Sequence, residues 1–440
     1  MATGIPARVL TVVFGLGMGG TERSAENYSR AYKRRGLDVK VLVTDEAGPR
    51  RDRLREQGID VLLAADHGDC AAAIRDLDAW TPDIVHVHSH GITTKCVDGL
   101  RHAFPHALFL ETNVFATPQP YHATIDISAQ LSSWCEWIYR CRARQRAYHQ
   151  RVVVLPNLVA EAEFFPDPAA RDAFRARYDI ALAAFVFCRV GQPHETSWSP
   201  VLVDVFRNVH ARVSNVRLVL VGASAAVVRR VELLPADVRA AILLLDAQAD
   251  DIRLRAVYSG SDSFVHIASG GESFGMVLAE AMLCECTPIT LSTPAFHNSQ
   301  CDVVGHGDGG LVCSSIAGFE HAMITLSRDA ALRQKLALGG RRRIVDRFTA
   351  DPVMARLQAL ISAKPATPPP MSDLVRSCQE LYLNAWDRPS PLVCRWLWLR
   401  YPLGRVQFLS MGDRLWRAVM KVILRLTALA SPRGMSRTTA

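Results

Sequence analysis

The sequence predicts an α/β protein of two doubly wound domains with parallel sheets, followed by a basic helical tail. Three observations carry this. The chain has 440 residues, more than one hydrophobic core usually supports. Its composition, 49% hydrophobic and 21% charged, is that of a globular protein. Strand-like and helix-like stretches alternate, stop, and begin again near residue 183, and such alternation implies parallel sheets covered by helices.

The elements read in order. "RVLTVVF" is a strand, "GLGMGGTE" a glycine-rich loop, "RSAENYSRAYKRRG" a helix and "DVKVLVTD" the next strand. Strand-like runs recur at "DIVHVHS", "ALFLET" and "RVVVLPN". The pattern restarts with "AAFVFCRVG", then a helix over 199–212, "VRLVLVG", a helix over 225–232 and "AILLLD". A helix over 250–258, "SFVHIAS", a helix over 274–284, "TPITLS" and "GGLVC" complete the second sheet. Helices are expected over 316–327, 329–339 and 350–362, before "AKPATPPP" breaks the pattern. The division that follows is a first domain over 1–165, a linker over 166–182 and a second domain over 183–362. A proline-rich linker over 363–370 and a tail over 371–440 follow. Two such halves place a ligand cleft between the carboxyl ends of their strands.

Bulk features exclude several classes. The N-terminal apolar run leads into a glycine-rich loop rather than a cleavage site, so no secretory signal is expected. No charge-free apolar run of spanning length occurs. The eleven cysteines are scattered without Cys-x-x-Cys, which suits free thiols in a reducing cytoplasm. The net charge of +8 sits entirely in residues 391–440, with nine basic residues and one acid. In "DRLWRAVMKVILRLTAL", Arg414, Arg417, Lys421 and Arg425 form one helical stripe beside a wide apolar arc. This suits a helix lying in an anionic membrane interface, with residues 391–430 as the contact. The expected location is cytoplasmic, peripheral at the inner face of the membrane. The alternative is a helix packed on the protein with snorkelling arginines.

Gly15, Gly17 and Gly20 fit G-x-G-x-x-G after a strand and before a helix, and Asp45 ends the next strand. This spacing admits an NAD-dependent enzyme. It equally admits a turn that needs glycine, or a loop facing another anion. His86, His88 and His90 alternate and so share a strand face. A zinc site, a polar lining of the cleft and simple packing are the three readings, and no fourth ligand lies near in sequence. "WCEWIYRCRARQRAYHQR" is aromatic and basic, but a helix burying Trp134, Trp137 and Ile138 accounts for it without nucleic acid.

The stretch "SGGESFGMVLAEAM" holds Glu272 and Glu280, eight residues apart. With a helix starting near Ser273 or Phe274, Glu272 sits at its mouth and Glu280 about 12 Å along its axis. Carboxylates sharing one glycosidic bond sit roughly 5 to 9.5 Å apart, so this spacing suits a longer ligand. A nucleotide diphosphate sugar has hydroxyls at both ends, and its phosphates suit the free N–H groups of a helix start.

This stretch resembles the E-x7-E motif of retaining glycosyltransferase family 4, whose GT-B fold is two facing Rossmann-like domains. "GLGMGGTE" is similar to that family's N-terminal loop, with Gly19 and Gly20 at its tip. "DIVHVHSH", "VVVLPN", "FCRVGQPHETSW" and "LVLVG" match in order, and the resemblance spans about residues 8–350. It implies Glu272 near the donor sugar hydroxyls, Glu280 on the ribose and Arg189 on the diphosphate. Ser273, Phe274 and Gly275 are implied donor contacts, and Asn113 and His88 are implied at the reacting centre. The usual lysine after the arginine is absent, with Ser197 in that slot. Asn113 stands where a histidine is common, Cys188 where a glycine is common, and Glu285 and Cys286 at another usual glycine.

The resemblance implies retaining transfer of a sugar from a nucleotide diphosphate donor to a glycan or lipid-linked acceptor, in polysaccharide or glycolipid synthesis. No metal is expected, because Arg189 and a helix N-terminus supply positive potential at the phosphates. The alternatives are an epimerase or phosphorylase of the same fold, a donor-binding but inactive membrane-attached partner, and the NAD enzyme.

Overall fold

The computed structural model describes residues 8–67, 69–77, 80–143, 151–294, 297–363, 370–390 and 393. Seven parallel strands form the first sheet: β1 (Arg8–Val13), β2 (Asp38–Val43), β3 (Asp60–Leu63), β4 (Ile84–Ser89), β5 (Leu108–Asn113), β6 (Ile127–Gln130) and β7 (Arg151–Val154). Six form the second: β8 (Phe185–Val190), β9 (Val216–Val221), β10 (Ile242–Leu245), β11 (Ser263–His266), β12 (Thr287–Leu291) and β13 (Leu311–Cys313). The orders are β3-β2-β1-β4-β5-β6-β7 and β10-β9-β8-β11-β12-β13. The first six strands of each sheet therefore follow one plan. In each, the order reverses beside the first strand, where open α/β sheets leave a crevice.

The strands are covered on both faces, so they read as near-continuous apolar runs rather than alternating ones. β1, for example, is buried at every position after Arg8. Two short strands, β3 and β6, lie outside the runs that the sequence singled out. The helix Met276–Leu283 is apolar apart from Glu280 and buried at every position except Val277, which makes it a core helix of the second domain.

The long helix Ala330–Phe348 replaces the shorter one expected over 329–339. The next helix, Ala350–Ser362, returns to the first domain. Its Ala350, Val353, Met354 and Leu357 join the core built on Val9, Tyr28 and Val41. Arg35 Nη2 lies 2.7 Å from Asp351. The chain thus crosses between domains at 155–184 and again at Thr349. The two crossings are joined by the Val159 N–H, which donates to Phe348 O at 2.7 Å.

The expectation of free thiols throughout fails at one place, because Cys70 and Cys96 form a disulfide between two neighbouring helices of the first domain. Among the described residues no helix is long and apolar enough to cross a membrane. The basic stripe of the tail lies outside the described residues.

Candidate active site

A cavity of about 500 Å³ lies between the carboxyl ends of the two sheets. The first domain contributes Gly19, Gly20, Arg23, His90 and Phe115 to its lining. The second contributes Arg189, Gly191, Ser197, Glu272, Gly275 and Glu280. Gly15 and Gly17 are not part of the lining, so only the tip of the glycine-rich loop faces the cavity.

The loop before the core helix is shaped by two glycines. Gly271 has φ +66°, and a Cβ there would sit 1.8 Å from His297 O. Gly275 caps the helix with φ +99°. Both conformations lie in the left-handed region that glycine tolerates. No acidic side chain occupies the first helical turn, so its N–H groups keep their partial positive charge. The helix starts at Met276, two to three residues later than expected, which leaves Glu272 in the loop.

That loop is pinned. Glu272 N donates to Gln300 Oε1 at 3.1 Å, and Ser299 N donates to Glu272 O at 3.0 Å. Across the domain boundary, Ser132 Oγ and Ser299 Oγ are 2.6 Å apart, and the Cys135 thiol donates to Ser273 O at 3.4 Å. The Glu272 carboxylate receives His266 Nε2 at 3.0 Å and keeps 28% of its side-chain surface exposed. Burial alone would raise its pKa, but the His266 hydrogen bond and the Arg189 guanidinium outweigh it and hold Glu272 below the usual carboxylate range.

Glu280 is more enclosed. Arg23 Nη1 lies 3.0 Å from its Oε1, and Tyr258 OH donates to its Oε2 at 3.2 Å. Burial pushes its carboxyl up, and Arg23 opposes that shift. Arg23 belongs to the first domain and also pairs with Asp251 of the second at 2.6 Å. Burial would lower its pKa, but Glu280 and Asp251 prevail, so Arg23 stays charged. Arg53 pairs with both Asp251 and Glu26, extending this bridge across the cleft. Arg23 was not singled out in the sequence, since its partners lie more than two hundred residues away.

Arg189 is nearly fully buried at the end of β8. Its guanidinium donates to Val190 O and, at 2.9 Å, to Ser197 O, and it lies 5.1 Å from the Trp198 ring centroid. Burial lowers its pKa, with Glu272 opposing. Ser197, in the slot of the missing lysine, thus holds Arg189 through its backbone. The basic groups lining the cavity, among the described residues, are Arg23 and Arg189 with the imidazoles of His90 and His194.

Asn113 and His88 lie beneath the cavity wall and do not line it. Asn113 Nδ2 donates to Thr117 O at 2.9 Å, and its Oδ1 accepts from Thr117 N at 3.1 Å. This clamps the turn that carries Phe115, whose side chain is exposed at the cavity and meets the His90 ring at 5.1 Å. His86 and His88 pack under the helix Gly20–Arg34, against Tyr28 and Tyr32. Burial lowers the His88 pKa to about 3. Of the three alternating histidines, only His90 reaches the cavity. Among the described residues no group of His, Cys, Asp and Glu is placed to hold a metal ion.

The two facing sheets and their cleft define a GT-B fold. Residues 184–329, within the second domain, match the family model described as Glycosyl transferases group 1. The fold is similar to HepE of Anabaena, solved with UDP and glucose, at TM-score 0.65 and 14% identity, covering 81% of this chain and 99% of that one. A glycosyltransferase of Rickettsia africae gives TM-score 0.64 and 16% identity, covering 80% and 98%. A variant of S. aureus TarM gives 0.63 and 9%, covering 81% and 100%. At these identities the likeness is one of fold. No curated protein sequence matches the chain significantly.

Proposed function

We propose that the protein is a retaining glycosyltransferase that takes a sugar from a nucleotide diphosphate donor and passes it to a glycan or lipid-linked acceptor. The observation that carries this reading is the cavity itself. Glu272, Arg189, an uncapped helix start and Glu280 line one cavity, a set that supplies partners for sugar, diphosphate and ribose. Glu272 then holds sugar hydroxyls, and Glu280 holds the ribose beside Arg23. Arg189 and the Gly275–Met276 helix start, with Ser273 and Phe274, face the diphosphate. Gly19 and Gly20 close over the donor from the other domain. HepE has been solved with UDP-glucose and TarM with UDP, which favours uridine as the base to try first.

In this reading the acceptor oxygen attacks the anomeric carbon on the face that the diphosphate leaves. The new C–O bond forms as the C–O–phosphate bond breaks, and the acceptor proton passes to the leaving phosphate oxygen. The transition state is oxocarbenium-like, and positive groups near the phosphates stabilise departure. His88 and Asn113 act from beneath the wall, Asn113 by holding the turn of Phe115. That exposed ring beside His90 offers a stacking surface for a sugar ring, which favours a glycan acceptor. The basic tail, read from its stripe of Arg414, Arg417, Lys421 and Arg425, would bring the enzyme to an anionic leaflet on the cytoplasmic side.

The test is a panel of UDP-, GDP- and ADP-sugars and NAD, scored by melting temperature and nucleotide release. Stabilisation by a nucleotide sugar with release is expected. Stabilisation by NAD alone would overturn the reading. Binding without release or transfer, across glycan and lipid acceptors, would instead favour an inactive donor-binding partner. For the tail, liposomes containing anionic lipid should float the full chain but not a chain ending at residue 390, which keeps the helix Met371–Leu383 that packs in the core, and equal flotation would remove the membrane role.

A further inference from the structure

His266 ends β11 and is fully buried. Its two ring nitrogens are both used. Nε2 lies 3.0 Å from Glu272 Oε1, and Nδ1 lies 3.1 Å from Thr290 Oγ1. Thr290 is its register partner on β12 and is itself buried. We infer that His266, oriented by Thr290, is a positioning residue that fixes the Glu272 carboxylate for the sugar end of the donor, an inference that rests on the donor-site reading above.

The chemistry allows one arrangement. The Thr290 hydroxyl donates to Nδ1, which leaves the proton on Nε2 to donate to Glu272. The neighbouring charges favour it. Burial and the Arg189 cation both disfavour an imidazolium, and Arg189 favours an ionised Glu272. The row is thus a cation, a neutral imidazole and a carboxylate. The loop holds the Glu272 backbone through Gln300 and Ser299, but a carboxylate on three rotatable bonds needs its own anchor. The His266 hydrogen bond anchors Oε1, while the group still shows surface at the cavity that it lines. A substrate hydroxyl then meets a carboxylate already in place, which lowers the ordering cost of binding.

The experiment is calorimetric binding of UDP and of UDP-glucose to the full chain, for wild type, His266→Ala, His266→Gln and Thr290→Val. With His266→Ala, UDP affinity should stay within about twofold, while UDP-glucose affinity falls about tenfold, as the loss of a hydrogen bond to a charged group implies. His266→Gln keeps an N–H donor and should recover part of the loss, and Thr290→Val should show a smaller loss of the same kind. Equal weakening of UDP and UDP-glucose would mark His266 as merely structural and overturn the inference, as would no change in either. If the wild type binds neither nucleotide, the donor-site reading fails. The positioning geometry is then judged by histidine nitrogen NMR at pH 7. That spectrum should show the neutral Nε2–H tautomer, perturbed by Glu272→Gln. The Nδ1–H tautomer or an imidazolium would overturn it.

Discussion

The two sheets each carry a histidine–threonine pair on the strand beside their first, and the pairs end differently. On β4 and β5, His86 Nε2 meets Thr112 Oγ1 at 2.8 Å, and its other nitrogen meets Tyr32 OH at 3.0 Å. On β11 and β12, His266 meets Thr290, and its other nitrogen meets Glu272. The first pair is closed off by a tyrosine from the covering helix and stays in the core. The second passes its hydrogen bond to a carboxylate at the cavity. One local motif therefore serves packing in one domain and the site in the other, and the third partner decides which.

The largest expected effect lies at the open end of the second pair. Glu272→Gln should reduce nucleotide release by about 100-fold with little change in melting temperature, in line with losing a preorganised group at the reacting sugar. A normal release rate would show that the carboxylate is not used. Next comes Glu280→Gln, which should weaken UDP binding about tenfold by removing the charge between Arg23 and the ribose. Titration calorimetry reads this directly, and an effect confined to the sugar would move Glu280 away from the ribose.

The closed pair should behave in the opposite way. His86→Leu leaves Tyr32 OH and Thr112 Oγ1 without their partner. It should cost about 1–3 kcal/mol in denaturant unfolding while UDP-glucose affinity stays unchanged. A change in affinity would break the contrast. The same core predicts a pH effect. Unfolded histidine takes up a proton near pH 6.5, whereas burial holds folded His86 and His88 below that, His88 at about 3. The unfolded state binds more protons in that window, so stability is greatest above pH 6.5 and declines as the pH falls. Each such group contributes up to about 1.4 kcal/mol per pH unit. Melting curves at pH 7 and pH 5.5 check this, and His88→Leu should flatten the decline. The smallest effect belongs to Phe115→Ala. It should lower transfer to a glycan acceptor by about fivefold while leaving donor hydrolysis alone, since one stacking contact is worth about 1 kcal/mol. Full activity with Phe115→Leu would indicate a lipid rather than a sugar ring.

Much of this architecture was legible in the sequence, and the physical reason is burial on both faces. Parallel strands such as β1 and β9 read as apolar runs, and the alternation with helices announces the sheet. β6, with the four residues Ile127–Gln130, has no such run, and β3 is equally short, so neither stood out. The two glutamates were legible because loop, glycines and helix are contiguous. Arg23 was not, since Asp251 and Glu280 meet it only when the domains face each other. His266 was hidden for a similar reason. Its threonine lies on the next strand, and a lone histidine in a strand reads as core. Asn113 and His88 lie at or near strand ends, but direction along and around the strand decides whether a side chain meets the cavity or the wall behind it.

The bond between Val159 and Phe348 has a mechanical consequence. The chain passes from one domain to the other at two places, and that bond ties the passes together into one knuckle. A body tied to another at such a knuckle swings rather than slides. Thr349, extended between two helices, is the residue whose torsions can take up the swing. The cavity mouth would widen most on the side far from the knuckle. A proline at position 159 would remove the N–H that ties the passes, and so would change how fast the mouth opens.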